Sequence, residues 1–318
     1  ADTERQALAA SAAIPDPLLV QAMADGSGED EAVFVRGSHR LLGDIVPRRD
    51  LEALCDEPWP ATNGSGRLEW AEQIVAPDHP LTSRVIVNRL WHHLFGRGIV
   101  ATVDNFGVLG AEPTHPELLD HLAVSFVDDR WSIKRMLRRI TLSRTYRQSS
   151  QPHIEADAAD PTNRLWHRTE VRRLQGEAIR DAMLAVSGRL VDEGLNIDEL
   201  LGESVPVHLT DFMQGRGRPG SSGPLDGAAR RSVYQEVRRN FLPPMMLAFD
   251  APIPFSSVGR RNVSNVPAQA LILLNDPFVH EEARFWAERL IAEYPDPQQR
   301  LQRAFLEAFC REPNDDER

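Results

Sequence analysis

The sequence predicts a mainly α fold, an irregular multi-helix bundle with long loops and a few short strands. Three observations predict it. Apolar residues recur at helical spacing in several windows. Pro, Gly, Asp, Ser and Thr punctuate those windows where helices start and stop. The composition, 42% apolar and 26% charged over 318 residues, is that of a globular chain with enough apolar surface for one large domain or two smaller ones.

Residues 1–64 read as a connector, the remnant of an upstream domain, and residues 65–318 as one helical domain. The start is Ala- and Asp-rich, with a short helix expected over Pro17–Met23. AVFVRG, from Ala32, has strand-forming residues, whereas Pro47 to Gly66 is turn-prone and aperiodic. The helical body is expected to begin near Arg67. Pro80–Phe95 is the strongest helix: Asp78 or His79 leads into Pro80, Gly96 can end it, and Val85, Ile86, Leu90, Leu94 and Phe95 make it apolar around much of its circumference. Thr114, with Glu117 three residues on, has capping-box spacing before Leu118, Leu119, Leu122, Ala123 and Phe126. Ser132 caps a helix with Ile133, Met136, Leu137 and Ile140 inward and Lys134, Arg135, Arg138 and Arg139 outward. These two helices are expected to pair as an antiparallel hairpin.

A long helix is expected over Glu170–Ser187, then a Gly-, Pro- and Ser-rich stretch from Gly188 to Arg230. SVYQEVRR, from Ser232, has strand-like alternation. Ser264 is placed to cap a helix in which Gln269 is the main polar residue. Asp276-Pro277 and Asp296-Pro297 open two more, through Trp286 and Leu290 and through Phe305 and Phe309. The chain stops in REPNDDER, where a further helix could start, as expected of a piece of a larger protein.

The net charge of -11 argues against a nucleic-acid partner, because phosphate contact needs a basic face. Lys134 is the only lysine. The arginines reflect either GC-rich coding or recognition of carboxylate, phosphate or sulfate by two-pronged guanidinium donors. Cys55 and Cys310 suggest neither a disulfide framework nor a zinc site, and without CxxCH the segment attaches no c-type haem of its own. No metal site or cofactor is therefore expected in it. No membrane span and no signal peptide are recognisable. GxGxxG, P-loop and GxSxG motifs are absent, which removes three large enzyme classes.

The central helix carries the densest chemistry. Arg84, Asn88 and His92 recur every four residues and share a face, with Arg89 and His93 beside them. They form either a buried network that fixes packing or a pocket wall with a histidine as acid, base or ligand. In DNFG, Asp104 reads as a turn acceptor. His115 stands in the first turn of its helix, where the positive helix end disfavours protonation. SRTYRQS gathers Arg144, Tyr146 and Arg147 at a helix C-terminus, favourable for cations and open to an anion-binding role. Arg173, Glu177 and Asp181 are spaced as an ion-pair ladder. Arg260, Arg261 and Asn262 precede a helix start as an anion site or an interdomain clamp. Trp59, Trp70 and Trp166 are candidates for a flat docking surface.

Seven stretches, SGRLEWAEQIV, HPLTSRVIVNRLWHHLFGRGIV, DNFGVLGAEPTHPELLDHLA, LSRTYRQSS, RRLQGEAIRDAMLAVSGRL, RRSVYQEVRRN and GRRNVSNVPAQALILLNDPFV, occur in that order from Ser65 onward. They resemble the domain of unknown function 1553 family, known from planctomycetes and related bacteria in cytochrome c-associated proteins. The resemblance implies an exported, extracytoplasmic multidomain protein, tied to polysaccharide use. Its upstream parts would be a domain of unknown function 1549 and often a haem c domain. The family offers no established catalytic residues. It often has Gln and two histidines after the helix tryptophan, so His93 matches a family histidine and His92 does not; Ile253 stands where an acid is frequent.

Three functions follow as expectations. The first is an accessory module that binds the upstream domains of its own polypeptide or an anionic glycan through Arg144, Arg147, Arg260, Arg261 and Asn262. The second is a carbohydrate-active or redox-coupled enzyme with His93, Arg84, Asn88 and Tyr146 as its candidate catalytic residues. A structural docking scaffold is a third.

Overall fold

The computed structural model describes residues 22–26, 28–51, 53–54, 64–191, 223–237, 242–255 and 257–318. The fold is mainly helical, as the sequence predicts: among the described residues there are ten α-helices and one two-stranded hairpin, with 46% helix. Cys55, Trp59, the Gly-rich run within 192–222 and nearly all of the helix expected over Pro17–Met23 lie outside the described residues, and Ala22 and Met23 are not helical. Contacts divide the chain into two compact units, Ala1–Val87 with Asp120–Ser132, and Asn88–Leu119 with Ile133–Arg318.

In the first unit, β1 (Ala32–Phe34) pairs antiparallel with β2 (Leu42–Ile45), with an irregularity in register between Ala32 and Phe34. Helix α1 (Arg67–Ile74) follows. Helix α2 spans Thr82–Phe95 and begins later than Pro80 because the side chain of His79 caps it. His79 Nδ1 accepts from the Leu81 and Thr82 amides at 3.3 and 3.2 Å, which satisfies donors that the helix itself leaves open. Val87, Leu122, Ala123 and Phe126 are buried in this unit. The last three belong to helix α3 (Pro116–Asp128).

The second unit contains the rest of α2 and α3, then α4 (Ile133–Thr141), α5 (Ile154–Ala159), α6 (Gly176–Ser187), α7 (Pro244–Ala248), α8 (Pro267–Asn275), α9 (Pro277–Glu293) and α10 (Pro297–Phe309). Asp276 and Asp296 cap α9 and α10 as expected, accepting from Phe278 and Gln299 amides. One core joins Leu184, Ala229, Met245, Phe249 and Phe278. A second is aromatic: Trp91 stacks on Phe95 at 4.2 Å, and Trp166 meets both edge-on at 5.7 and 5.1 Å. Trp166 is therefore inside, not on a flat docking surface.

Several local expectations give way to tertiary partners. Helix α2 is not apolar all round: Val87, Asn88, Trp91 and Phe95 form a buried stripe, whereas Arg89 and His93 are exposed. Thr114 forms no capping box, because its amide and hydroxyl both bond the Ile99 carbonyl. Ile133, at the first residue of α4, is exposed; Met136 and Ile140 carry the buried side. Helix α6 starts at Gly176 rather than Glu170, since Arg172 and Arg173 reach away to other segments. Ser232–Tyr234 is a 3-10 turn, not a strand, because the Ser232 amide and hydroxyl both donate to Asp181 at 2.7 Å.

Buried charge fastens this unit. Arg180, 4% exposed, donates to the Arg230 carbonyl, the Asp226 carbonyl and Ser232 Oγ at 2.9, 2.6 and 3.1 Å. Glu282, 2% exposed, accepts from Ser187 Oγ at 2.5 Å and Arg189 Nη1 at 2.8 Å. Removing Glu282 takes an acceptor from the buried Ser187 hydroxyl and one of two carboxylates from Arg189, which keeps Asp226. Glu282→Ala is expected to lower stability by about 1–3 kcal/mol in urea unfolding. Arg284→Ala, which breaks an exposed pair with Glu288, should change it by less than about 1 kcal/mol. Equal effects would contradict the assignment.

Around α5, Arg168 and His167 each bond Asp157 at 2.9 Å and hold its carboxyl down to about 2, from an ordinary 3.8. The folded value lies below the unfolded one, so this contribution is complete above 3.8 and is lost as pH falls towards 2. Near-UV circular dichroism should show an acid transition in that window that Asp157→Asn weakens. An unchanged transition in the variant would contradict this assignment.

Candidate functional site

The C-terminal end of α2 carries the most distinctive group of side chains in the second unit. Gly96 takes a left-handed conformation, φ 88°, and ends the helix, leaving the last carbonyls open. Arg172 fills that end. Its guanidinium donates to the His93 and Leu94 carbonyls at 3.3 and 2.7 Å, where the negative end of the helix dipole favours a cation. The approach is close enough that a Cβ on Gly96 would lie 2.4 Å from Arg172 Cδ.

His92 and His93 end the same helix with ring centroids 5.5 Å apart. His93 is exposed, whereas His92 is half-buried with a buried Nδ1 that meets no hydrogen-bond partner among the described residues. Burial lowers the His92 pKa below 6.5, and its neighbours His93, Arg172 and Arg260 lower it further, while Asp104 opposes them. The imidazole is thus neutral at neutral pH and sits in a locally cationic surrounding, despite the acidic total of the chain.

A loop from a distant part of the sequence completes the group. Asp104 Oδ2 accepts from the Gly259 amide at 3.1 Å. A Cβ on Gly259 would lie 1.2 Å from Asp104 Oδ1, so a larger residue there would have to push the carboxylate off the Gly259 amide. Two residues on, Arg261 grips Glu177 through two bonds of 2.7 Å. Ser264 gives its amide and hydroxyl to Asp250 at 2.8 Å each, and Arg173 bonds the same carboxylate at 2.7 Å. Ser264 therefore anchors the loop and does not cap α8, whose N-cap is Val266. Held at three points, the loop leaves Arg260 exposed, and among the described residues Arg260 has no hydrogen bond or ion pair.

Of the residues expected to form a site, His93 and Arg260 come together here. Asn88 does not contribute a reactive group: it is 0% exposed, and its amide closes on the Val100 carbonyl and amide at 3.0 and 2.8 Å. Arg84 lies in the first unit, paired with Asp120 at 2.7 Å. Tyr146 sets its ring against Phe95 at 5.6 Å. Arg144, Arg147 and Asn262 are exposed, with no described contact to the group. Arg261 is a clamp rather than a free ligand-binding cation. Arg173, Glu177 and Asp181 bond other segments instead of forming a ladder along α6.

Sequence reasoning placed His93 ahead of His92, and missed Arg172 and the role of Asp104. The DNFG turn is present, but Asn105 makes it, accepting from the Gly107 amide at 2.9 Å; Asp104 reaches across the fold instead. No local signal pairs Arg172 with α2 across 79 residues. Among the described residues no group of three or more His, Cys, Asp or Glu side chains could hold a metal ion, and no helix is long and apolar enough to cross a membrane.

The neighbours fix the direction of His92 titration. Removing a cation in Arg260→Ala should raise its pKa, and removing the opposing acid in Asp104→Asn should lower it further. Histidine resonances followed against pH by NMR would read both shifts, and a His92 signal indifferent to both variants would refute the arrangement.

Nothing among curated proteins or solved structures matches the chain. The family described as PSD1, protein of unknown function (DUF1553), matches residues 66–318, and the chain belongs to that family.

Proposed function

We propose that the chain is an accessory binding module for an anionic glycan, and that Arg260, with Arg172 and the two histidines, receives its carboxylate or sulfate groups. The observation that carries this reading is the exposed Arg260 on a loop clamped at Gly259 and Arg261, close enough for its charge to act on His92 at the end of α2. A guanidinium offers paired donors to carboxylate or sulfate. A neutral imidazole adds a hydrogen-bonding group without the cost of a buried charge.

The enzyme reading has less support. Asn88 is closed on the Val100 backbone and Arg84 is paired with Asp120, so neither is offered to a substrate. The setting proposed for the module is the one its sequence resembles: an exported, extracytoplasmic protein with upstream domains and haem c elsewhere in the same polypeptide. The exposed apolar side chains of the hairpin, Val33, Leu42 and Ile45 among them, support docking to such a domain.

Dextran sulfate and neutral dextran, titrated calorimetrically at two salt concentrations, test the reading. Dextran sulfate is expected to bind, more weakly at high salt, and Arg260→Ala to weaken it about tenfold, roughly 1.4 kcal/mol, while Arg284→Ala does not. Equal binding of both polymers, or no effect of Arg260→Ala, would overturn it.

A further inference from the structure

The first unit carries an open depression of about 300 Å³, lined among the described residues by Arg48, Arg49, Ser65, Gly66, Arg67 and Trp70. It lies between the turn-prone stretch before Gly66 and the start of α1, and its walls are built. Arg48 donates to Asp30 at 3.0 Å, to the Gly64 carbonyl at 2.7 Å and to the Gly28 carbonyl. The Ser65 amide donates to Asp25 at 3.0 Å. Gly28 is left-handed, φ 69°, and a Cβ there would lie 2.2 Å from the Gly64 carbonyl oxygen. Two stretches of chain are thereby drawn together around one guanidinium.

The lining has a definite chemistry. Trp70 is 49% exposed, a large aromatic surface that a folded chain would ordinarily cover. Arg67 is half-exposed, and Asp25, its ion-pair partner among the described residues, is 3.8 Å away, too far for a strong bond. Arg48 has used three of its guanidinium hydrogens, leaving others of its roughly five donors for a ligand. Asp25 and Asp30 offset part of the arginines' charge. Among the described residues, none of the lining side chains is acidic.

We infer that this depression is a binding site for a cyclic ligand with an apolar ring face and a carboxylate at its edge, an acidic sugar residue. The negative face of an indole attracts the weakly positive C–H groups of a sugar ring, while Arg67 and Arg48 take the carboxylate in charge-assisted bonds. The volume, at the lower end of the range for ligand sites, suits one ring, and the partial exposure of Trp70 lets a chain continue outward. The inference stands independently of the site at the end of α2, which lies in the other unit.

Trigalacturonate and, as a neutral control, maltotriose are titrated into the full chain while the Trp70 indole N–H resonance, assigned by its loss in Trp70→Phe, is followed by NMR. Trigalacturonate is expected to shift that resonance saturably and maltotriose at least tenfold more weakly. Arg67→Ala should weaken the response tenfold or more, and Arg260→Ala should leave it unchanged, which separates this site from the other. In Trp70→Phe, calorimetry should show binding within about threefold of the parent, since an aromatic face remains. A Trp70 resonance indifferent to trigalacturonate, or equally sensitive to maltotriose, would overturn the inference even if a variant failed to fold. An Arg67→Ala variant that responds like the parent would overturn it as well.

Discussion

The second unit depends on one constraint: a guanidinium withdrawn from water must find acceptors for its hydrogens. Arg180 meets it with backbone carbonyls of the segment around Asp226 and Arg230. Arg189 meets it with Glu282 on α9, and Arg97 with Glu170 and the Asn163 carbonyl. Each arginine fixes the position of a stretch with little regular structure of its own. The apolar core around Leu184 and Phe278 sets which helices pack; the arginines set where the loops between them lie.

The same constraint shapes the end of α2. Arg172 is occupied by helix carbonyls, Arg173 by Asp250 and Arg261 by Glu177. These contacts leave Arg260 as the cation of its loop that is turned outward, beside an imidazole kept neutral by burial and positive neighbours. A single exposed arginine on a flexible loop would bind anions weakly, because ordering it costs side-chain and backbone entropy. Here the clamps meet that cost on folding.

The parts of the fold legible in the sequence are those decided locally. Asp276-Pro277 and Asp296-Pro297 start helices because cap and first turn are neighbours in the chain; Gly96 and Gly188 end them through conformations glycine favours. The illegible parts are those decided by distant partners. Thr114, Ser264 and Ser232 each look like a local cap or strand residue, yet each bonds a residue elsewhere. At the site, Asp104 meets Gly259 across 155 residues and Arg261 meets Glu177 across 84. Periodicity carries no information over such distances. The Arg84, Asn88, His92 face was visible, but not that Asn88 would close on Val100 or that His92 would be more buried than His93.

If the clamps position Arg260, then breaking one of them should act on His92 without touching either residue. Arg261→Gln removes the grip on Glu177, and Arg261 acts on His92 less than Arg260 does. NMR titration of His92 in this variant tests the arrangement most directly. A rise in its pKa approaching that caused by deleting the Arg260 side chain is the expected result. A His92 titration identical to that of the parent protein would mean that Arg260 holds its place without the clamp.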